Sequence, residues 1–427
     1  MLGIILGLIV LMVLAYLGWS IIWVAPIAAG VVALTGGLDL LDAYKDTYMG
    51  GFVAFAQAWF PVFLLGAIFG KLMEDTGMAR SVAVAITKVL GTKRAILGVV
   101  LSAAVLTYGG VSLFVVVFAV YPLALSLFRE ANISRRLLPA TVALGAFTFT
   151  MTAIPGTPQI QNLIPMNYFN TTAMAAPIMG IAGAIVMLGG GYWYLSWREK
   201  TTKQKGEFFT EPKDENVMNP DGHIPSFILS ILPLVIVLVT LNLFKWDVIG
   251  ALLAGIVLIM LLNINKMKSF IKAINGGAIG SVTAIINTSA AVGFGTVVKV
   301  VPGFERLTEM LLGIKGNPLI SEAVAVNILA GATGSASGGM GIALEALGSK
   351  YYEIALDTGI SPEAFHRVAS LASGGLDTLP HNGAVLTLLT ITGMSHKESY
   401  KDIFVVAVLI PIISVIVAIL LAIVGLV

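Results

Sequence analysis

The residues of this 427-residue chain that could do chemistry are small, hydroxylated and grouped. Four clusters carry them: Thr107, Tyr108, Gly109, Gly110 and Ser112; Pro155, Gly156, Thr157, Gln159 and Asn162; Thr333, Ser335, Ser337 and Gly338; and Asp377, Thr378, His381 and Asn382. Glycine lets a backbone come close to a bound molecule, and proline frees a carbonyl by removing a donor. Hydroxyls, amides and freed backbone groups together suit a small anionic, hydroxylated solute. Asp377 lies in the apolar run 368–395, close to Pro380. A carboxyl in such surroundings is costly and marks a functional position by default, and it is suited to take up and release a proton. His381 could share a relay with it. The competing assignment makes Asp377 a helix cap and His381 a structural donor. For any single Ser, Thr or Gly, helix packing or back-bonding to a preceding carbonyl is the alternative; the signal is the four clusters together.

Composition narrows what those clusters can serve. Only 11% of the residues are Asp, Glu, Lys or Arg, against about 25% in a soluble domain. An ordinary soluble enzyme, a disordered chain and a nucleic-acid binder are excluded. There is no cysteine, so disulfides, thiol redox chemistry and Cys-ligated metals are ruled out. His223, His366, His381 and His396 are scattered without metal-ligand spacing, and no metal or other cofactor is expected. Met1 to Leu17 is apolar without a leading Lys or Arg, which predicts a retained span rather than a cleaved signal.

The elements that must position the clusters follow from hydropathy. Apolar stretches occur near 2–17, 20–36, 51–73, 95–128, 137–168, 172–197, 225–243, 248–264, 274–300, 318–345, 363–395 and 402–427. The hydrophilic stretch Arg198 to His223 reads as a cytoplasmic linker, 198–224, between halves 1–197 and 225–427. Each half has two plain spans, a long span ending in an amphipathic segment, a stretch broken by small polar residues, a short polar joint, a stretch broken by proline, and a closing span. As one straight helix, 95–128 would be about 51 Å long, well beyond a roughly 30 Å hydrocarbon core. A re-entrant hairpin with its tip at Thr107–Gly110 fits better, and 318–345 repeats it. The breaks in 137–168 and 363–395 predict discontinuous helices.

Charge orients the scheme. Basic residues flank both ends of 95–128, including Lys93, Arg94, Arg129, Arg135 and Arg136, as one cytoplasmic face requires. Of 25 Lys and Arg, seven fall outside: Lys45, Lys245, Lys299, Arg306, Lys315, Lys350 and Arg367. The fold expected is an all-α polytopic membrane protein of two inverted repeats, with about ten transmembrane helices, two opposed hairpins, and both termini periplasmic. A plain twelve-span bundle would account for the glycines but not for the paired breaks. His366, Glu74, Asp75, Glu322 and Glu345 lie at span edges and are expected at the interface, with Lys88 and Arg306 as anchors.

At these residues the chain resembles known families. A hairpin tip, a run to Tyr121-Pro122, a joint and then Thr152–Pro158 (TAIPGTP) look like the ion transporter superfamily. Gly66–Gly77 (GAIFGKLMEDTG), Pro155–Asn162 (PGTPQIQN), Gly334–Gly341 (GSASGGMG) and Ser373–Gly383 (SGGLDTLPHNG) resemble the gluconate permease (GntP) family, in the same order and over nearly the whole chain. The resemblance implies secondary active uptake of small hydroxylated monocarboxylates such as gluconate or 3-hydroxybutyrate, usually with protons. It further implies a homodimer in the bacterial inner membrane with scaffold and transport domains and elevator-like movement. The second half is more similar to hydroxybutyrate permeases. Neither tip carries the Ser-Asn-Thr of the sodium-coupled branch, which leaves room for protons.

The resulting expectation is a proton-coupled symporter in which tips and breaks bind the anion while Asp377, with His381, carries the proton. The alternatives are sodium coupling or an anion channel, which would need a continuous polar stripe. An intramembrane enzyme would need a catalytic pair, and Asp377 has no second intramembrane Asp.

Overall fold

The computed structural model describes residues 1–212, 224–314, 316–380 and 382–427. His381, Lys315, His223 and the linker residues 213–222, all named above, lie outside the described residues. Among the described residues the protein is helical, with no strand. The first half runs α1 (Leu2–Tyr16), α2 (Ile21–Thr35), α3 (Met49–Asp75), α4 (Met78–Leu90), α5 (Ala95–Tyr108), α6 (Leu113–Glu130), α7 (Leu138–Ala146), α8 (Ile160–Phe169) and α9 (Pro177–Gln204). The second runs α10 (Phe227–Asn242), α11 (Val248–Leu262), α12 (Met267–Val300), α13 (Gly303–Leu312), α14 (Pro318–Thr333), α15 (Ala336–Thr358), α16 (Pro362–Ser373), α17 (Gly383–Thr392), α18 (His396–Phe404) and α19 (Ile410–Ile423).

The second series follows the order of the first, except that two helices, α18 and α19, stand where the first has α9 alone. Among the described residues four stretches are long and apolar enough to cross a membrane: Leu40–Asp75, Pro177–Gln204, Ile264–Val300 and His396–Ile423. The expected spans 2–17, 20–36, 225–243 and 248–264 are shorter helices of 15, 15, 16 and 15 residues. Met78–Leu90 and Thr92–Tyr108 meet at 103°: the amphipathic α4 turns away from the apolar α5 at Gly91, whose φ is +68°.

Burial sorts these helices by role. The plain helices α1, α9, α10, α11 and α19 expose rows of large apolar side chains, among them Ile9, Val13, Ile185, Trp193, Ile228, Val257 and Ile416, which is stable only against lipid or another apolar surface. By contrast every residue from Leu137 to Ala153 is enclosed by protein, and Ala364 to Ser373 is buried throughout. Between these layers α3 and α12 pack along each other. A Cβ on Gly277 would meet the Ile68 backbone at 2.7 Å, and one on Gly293 would meet the Tyr48 carbonyl at 2.8 Å.

Both stretches expected to fold back do so. In the first, Gly98 of α5 lies against Leu127 of α6; in the second, the Ser321 and Tyr351 hydroxyls of α14 and α15 are 2.9 Å apart. Arms that touch this far from their tips are hairpin arms. Each tip turns on a glycine with positive φ, Gly110 at +97° and Gly334 at +60°, a region that penalises a Cβ. The second tip is tighter than the run Thr333–Gly339 suggested. The Ser335 hydroxyl accepts the Gly338 N–H at 3.1 Å, so the helix restarts at Ala336 and Ser337, Gly338 and Gly339 are helical.

Arg198 differs from its expected place in a solvated linker. α9 continues to Gln204, and Arg198 is buried, its Nε and NH2 donating to the Asp402 carboxylate at 2.6 and 3.1 Å. The Tyr194 hydroxyl donates to the same carboxylate at 2.7 Å. Further on, Arg129 grips Glu211 through two bonds of 2.8 and 2.7 Å.

The two arms of the second hairpin are packed backbone to backbone, and a Cβ on Gly339 would overlap the Ala330 backbone. Gly339→Ala is therefore expected to separate α14 from α15 and cost about 3 kcal/mol or more, read as a lower thermal unfolding midpoint in detergent. Gly189→Ala, with open space at its Cβ, should leave the midpoint unchanged.

Candidate functional site

The two proline-containing stretches are unwound where sequence placed their breaks. In the first half α7 ends at Ala146, a short turn covers Phe149–Thr152, and α8 restarts at Ile160. In the second, α16 ends at Ser373, Leu376–Thr378 forms a single tight turn, and α17 restarts at Gly383. Each restarting helix presents its N-terminal end, with its positive dipole, to the break.

The residue before each restart does the same work. Gln159 donates from Nε2 to the Thr107 carbonyl of the first tip at 2.6 Å. Asn382 donates from Nδ2 to the Gly334 carbonyl of the second tip at 2.8 Å, and its Oδ1 also caps α17 by accepting the Val385 N–H at 2.9 Å. A break is thus tied to a hairpin tip twice, through a side-chain amide on a tip carbonyl; the Thr107 carbonyl also accepts the Gly110 N–H at 3.0 Å.

The first tip and break are joined further. The Tyr108 hydroxyl donates to the Pro155 carbonyl at 3.0 Å, and the Thr157 hydroxyl lies 3.4 Å from the Tyr108 carbonyl. Gly110 packs on Pro158, and Gly109 on Leu234 of α10. Gly156, at φ +81°, donates its N–H to the Ala173 carbonyl at 2.8 Å, while Asn242 of α10 donates to the Gly156 carbonyl at 2.9 Å. Ser112 sits against Gly70 of α3. Asn162 is fully buried and donates to the Thr157 and Ala173 carbonyls at 3.0 and 2.9 Å.

Across this first break lies α16 of the second half. Arg367, counted above among outside charges, is fully buried. Its Nε and NH2 donate to the Ala175 carbonyl at 3.1 and 2.6 Å, and NH1 donates to Asn162 Oδ1 at 2.9 Å. Ser370 adds a bond to the Thr152 carbonyl at 2.8 Å. His366, expected at the interface, is also fully buried. Its Nε2 lies 3.4 Å from Asn162 Oδ1 and its Nδ1 2.6 Å from the Thr171 hydroxyl. Because Asn162 directs its amide nitrogen at two carbonyls, Oδ1 can only accept. The ring proton therefore sits on Nε2, and Nδ1 accepts from Thr171.

The second break is held against its own hairpin and α18. Asn327 of α14 accepts the Leu376 N–H at 3.3 Å, the Thr378 hydroxyl donates to the Ala407 carbonyl at 2.9 Å, and Tyr400 donates to the Thr378 carbonyl at 3.1 Å. Asp377 is buried, with Oδ1 lacking a partner. At the tip, Thr333 bonds within its own turn and Ser337 lies 3.4 Å from the Thr288 hydroxyl of α12.

The four clusters therefore form two bonded groups, tip with break in each half, linked where α16 crosses the first break. Most of their amides and hydroxyls are committed to carbonyls. Buried oxygens without partners include Thr107 Oγ1, Gln161 Oε1, Asn242 Oδ1, Asn287 Oδ1 and Asp377 Oδ1. Sequence reasoning passed over Arg367, Asn242, Asn327 and the Asn287-Thr288-Ser289 run. Polar residues inside the apolar stretches 274–300 and 318–345 were the available signal. No group of three or more His, Asp or Glu able to hold a metal occurs among the described residues.

Residues 1–246 match the GntP family permease profile. The chain is 43% identical over 449 aligned residues to the uncharacterised transporter YxjC of Bacillus subtilis, covering 95% of each. It is 24% identical to an uncharacterised transporter of Haemophilus influenzae, over 83% of this chain and 82% of that one. Among solved structures, the Alcanivorax borkumensis YdaH transporter aligns with a TM-score of 0.60 at 16% identity over 90% of this chain and 88% of that one. MtrF of Neisseria gonorrhoeae, described as illuminating a class of antimetabolite efflux pumps, aligns at 0.52 and 14% identity over 90% and 83%. These two likenesses concern the fold.

The guanidinium of Arg367 and the oxygens it binds make a specific prediction. Arg367→Met leaves the Ala175 carbonyl and Asn162 Oδ1 without their donor and is expected to cost about 3 kcal/mol. Arg367→Lys should recover little of it, because an ammonium lacks the planar fork. Unfolding midpoints of the two variants in detergent check both.

Proposed function

Because this chain belongs to the GntP family of permeases and is a multi-pass membrane transporter, we propose that it is a proton-coupled symporter importing a small hydroxylated monocarboxylate of the 3-hydroxybutyrate or gluconate type. The observation that carries the reading is the repeated bond between tip and break, Gln159 on Thr107 and Asn382 on Gly334, with a buried acid at the second of them. It gives two helix N-termini and hydroxyl donors for an anion, amide oxygens that accept from its hydroxyls, and Asp377 Oδ1 for a proton.

In this reading the two halves are inverted repeats related within the membrane plane, 1–197 and 225–427 with the 198–224 linker cytoplasmic. The hairpins are re-entrant and both termini are periplasmic. Solute hydroxyls and carboxylate meet Thr107, Ser112, Thr157, Gln159, Thr333, Ser335, Ser337, Thr378 and Asn382, at backbone exposed by Gly109, Gly110, Pro155, Gly156 and Gly338. Tyr108 and Asn162 hold the first break in shape, and His381 shares the proton path with Asp377. The hairpins and breaks move together, elevator-like, against a scaffold that includes α3 and α12. The unit is a homodimer in the bacterial inner membrane.

With a proton on Asp377, the loaded site carries one negative charge across the apolar barrier, the solute's own, rather than two. That is the physical advantage of proton coupling for an acid substrate.

Purified protein in liposomes should accumulate labelled 3-hydroxybutyrate or gluconate when the outside is acid, and not under a sodium gradient alone. Asp377→Asn should lower the accumulation that a given pH gradient supports while solute exchange across the membrane persists. Sodium-driven accumulation would favour the sodium-coupled alternative, and flow that never exceeds equilibration would favour a channel.

A further inference from the structure

A second acid is more deeply enclosed than Asp377. Glu322, in the second turn of α14, has no exposed surface, and neither carboxylate oxygen has a hydrogen-bond partner. Sequence position placed it at a span edge; the fold places it between α14 and its neighbours. The buried titratable groups on the elements packed against α14 are Tyr351 of α15, His366 and Arg367 of α16, and Asp377 of the second break. All four are engaged elsewhere or lack contact with Glu322. Tyr351 bonds Ser321 at 2.9 Å, His366 bonds Thr171, Arg367 bonds Ala175 and Asn162, and Asp377 Oδ1 is itself partnerless. An ionised carboxylate enclosed without donor or cation is far costlier than the neutral acid, so in this conformation Glu322 holds a proton.

The hairpin form itself does not call for an acid at this depth: the corresponding arm of the first hairpin, α5, contains no Asp or Glu along its length.

We infer that Glu322 is a second proton-binding group, which takes a proton from one aqueous phase and releases it to the other as the second hairpin changes its exposure. The inference rests on the symport reading above and extends it. With Asp377 it gives two protons per solute, so uptake of a monoanion moves one net positive charge.

The test is the accumulation ratio in proteoliposomes with the membrane potential clamped at zero. A tenfold proton gradient supports about a hundredfold accumulation for two protons and about tenfold for one. Wild type is expected near the former and Glu322→Gln, which mimics the protonated acid, near the latter, with the potential dependence of uptake lost. Glu322→Asp should restore both. Independently, the infrared carbonyl band of neutral carboxylic acid at neutral pH should weaken in Glu322→Gln, whether or not that variant transports. An unchanged band, or equal accumulation ratios in wild type and Glu322→Gln, overturns the inference while leaving symport intact. Wild-type accumulation that ignores the pH gradient overturns the symport reading and this inference together.

Discussion

A helix interrupted inside an apolar medium leaves peptide groups that no water can reach, and each must find a partner within the protein. The rest of the structure depends on that constraint. Two hairpin tips, two breaks and the turn between α8 and α9 expose carbonyls, and side chains answer them: Gln159 at Thr107, Asn382 at Gly334, Asn242 at Gly156, Asn162 at Thr157 and Ala173, and Arg367 at Ala175. The amides are short and neutral, so they can be enclosed at little cost once bonded. The guanidinium is the exception. It carries its charge into the interior, and its fork reaches two oxygens from one side chain. These bonds let the first break lie enclosed in protein, with Leu137 to Ala153 buried throughout.

The same constraint changes what the polar clusters mean. Composition and spacing pointed to Thr157, Gln159, Asn162, Thr378 and Asn382 as groups for a solute. Each is at least partly engaged with the backbone. Their first role is to keep the breaks in register. The oxygens left over, such as Thr107 Oγ1, Asn242 Oδ1 and Asp377 Oδ1, are fewer, and only the first and last belong to the clusters that sequence singled out.

How much could be read from sequence depended on range. Local chemistry was legible. Gly110 and Gly334 mark the tips because a positive φ is needed there, and Pro155 and Pro380 mark the breaks because proline removes a donor. The restart of α15 at Ala336 was not read, because a single serine cap ended the turn sooner than the run of glycines suggested. Long-range facts were not legible. Arg367 and Asn162 are 205 residues apart, and nothing local distinguishes an arginine at a span edge from one inserted into a distant break. Glu322 was misplaced for the same reason: its burial is made by α15 and α16, not by its own helix. Arg198 was assigned to the linker because a charge run follows it, whereas Asp402, 204 residues on, draws it inward.

The Arg198–Asp402 pair has a consequence for the covalent joint itself. α9 is clasped to α18 by a guanidinium, a carboxylate and the Tyr194 hydroxyl, all buried, and α16 is clasped to the first break. The two portions are therefore closed against each other by contacts among described residues on either side of the joint at 198–224. Continuity of the chain there governs how quickly the two portions meet during synthesis, as a tether sets a local concentration, and contributes little to holding them once met. Selection acting on that stretch is free to shape its length and charge for something other than adhesion.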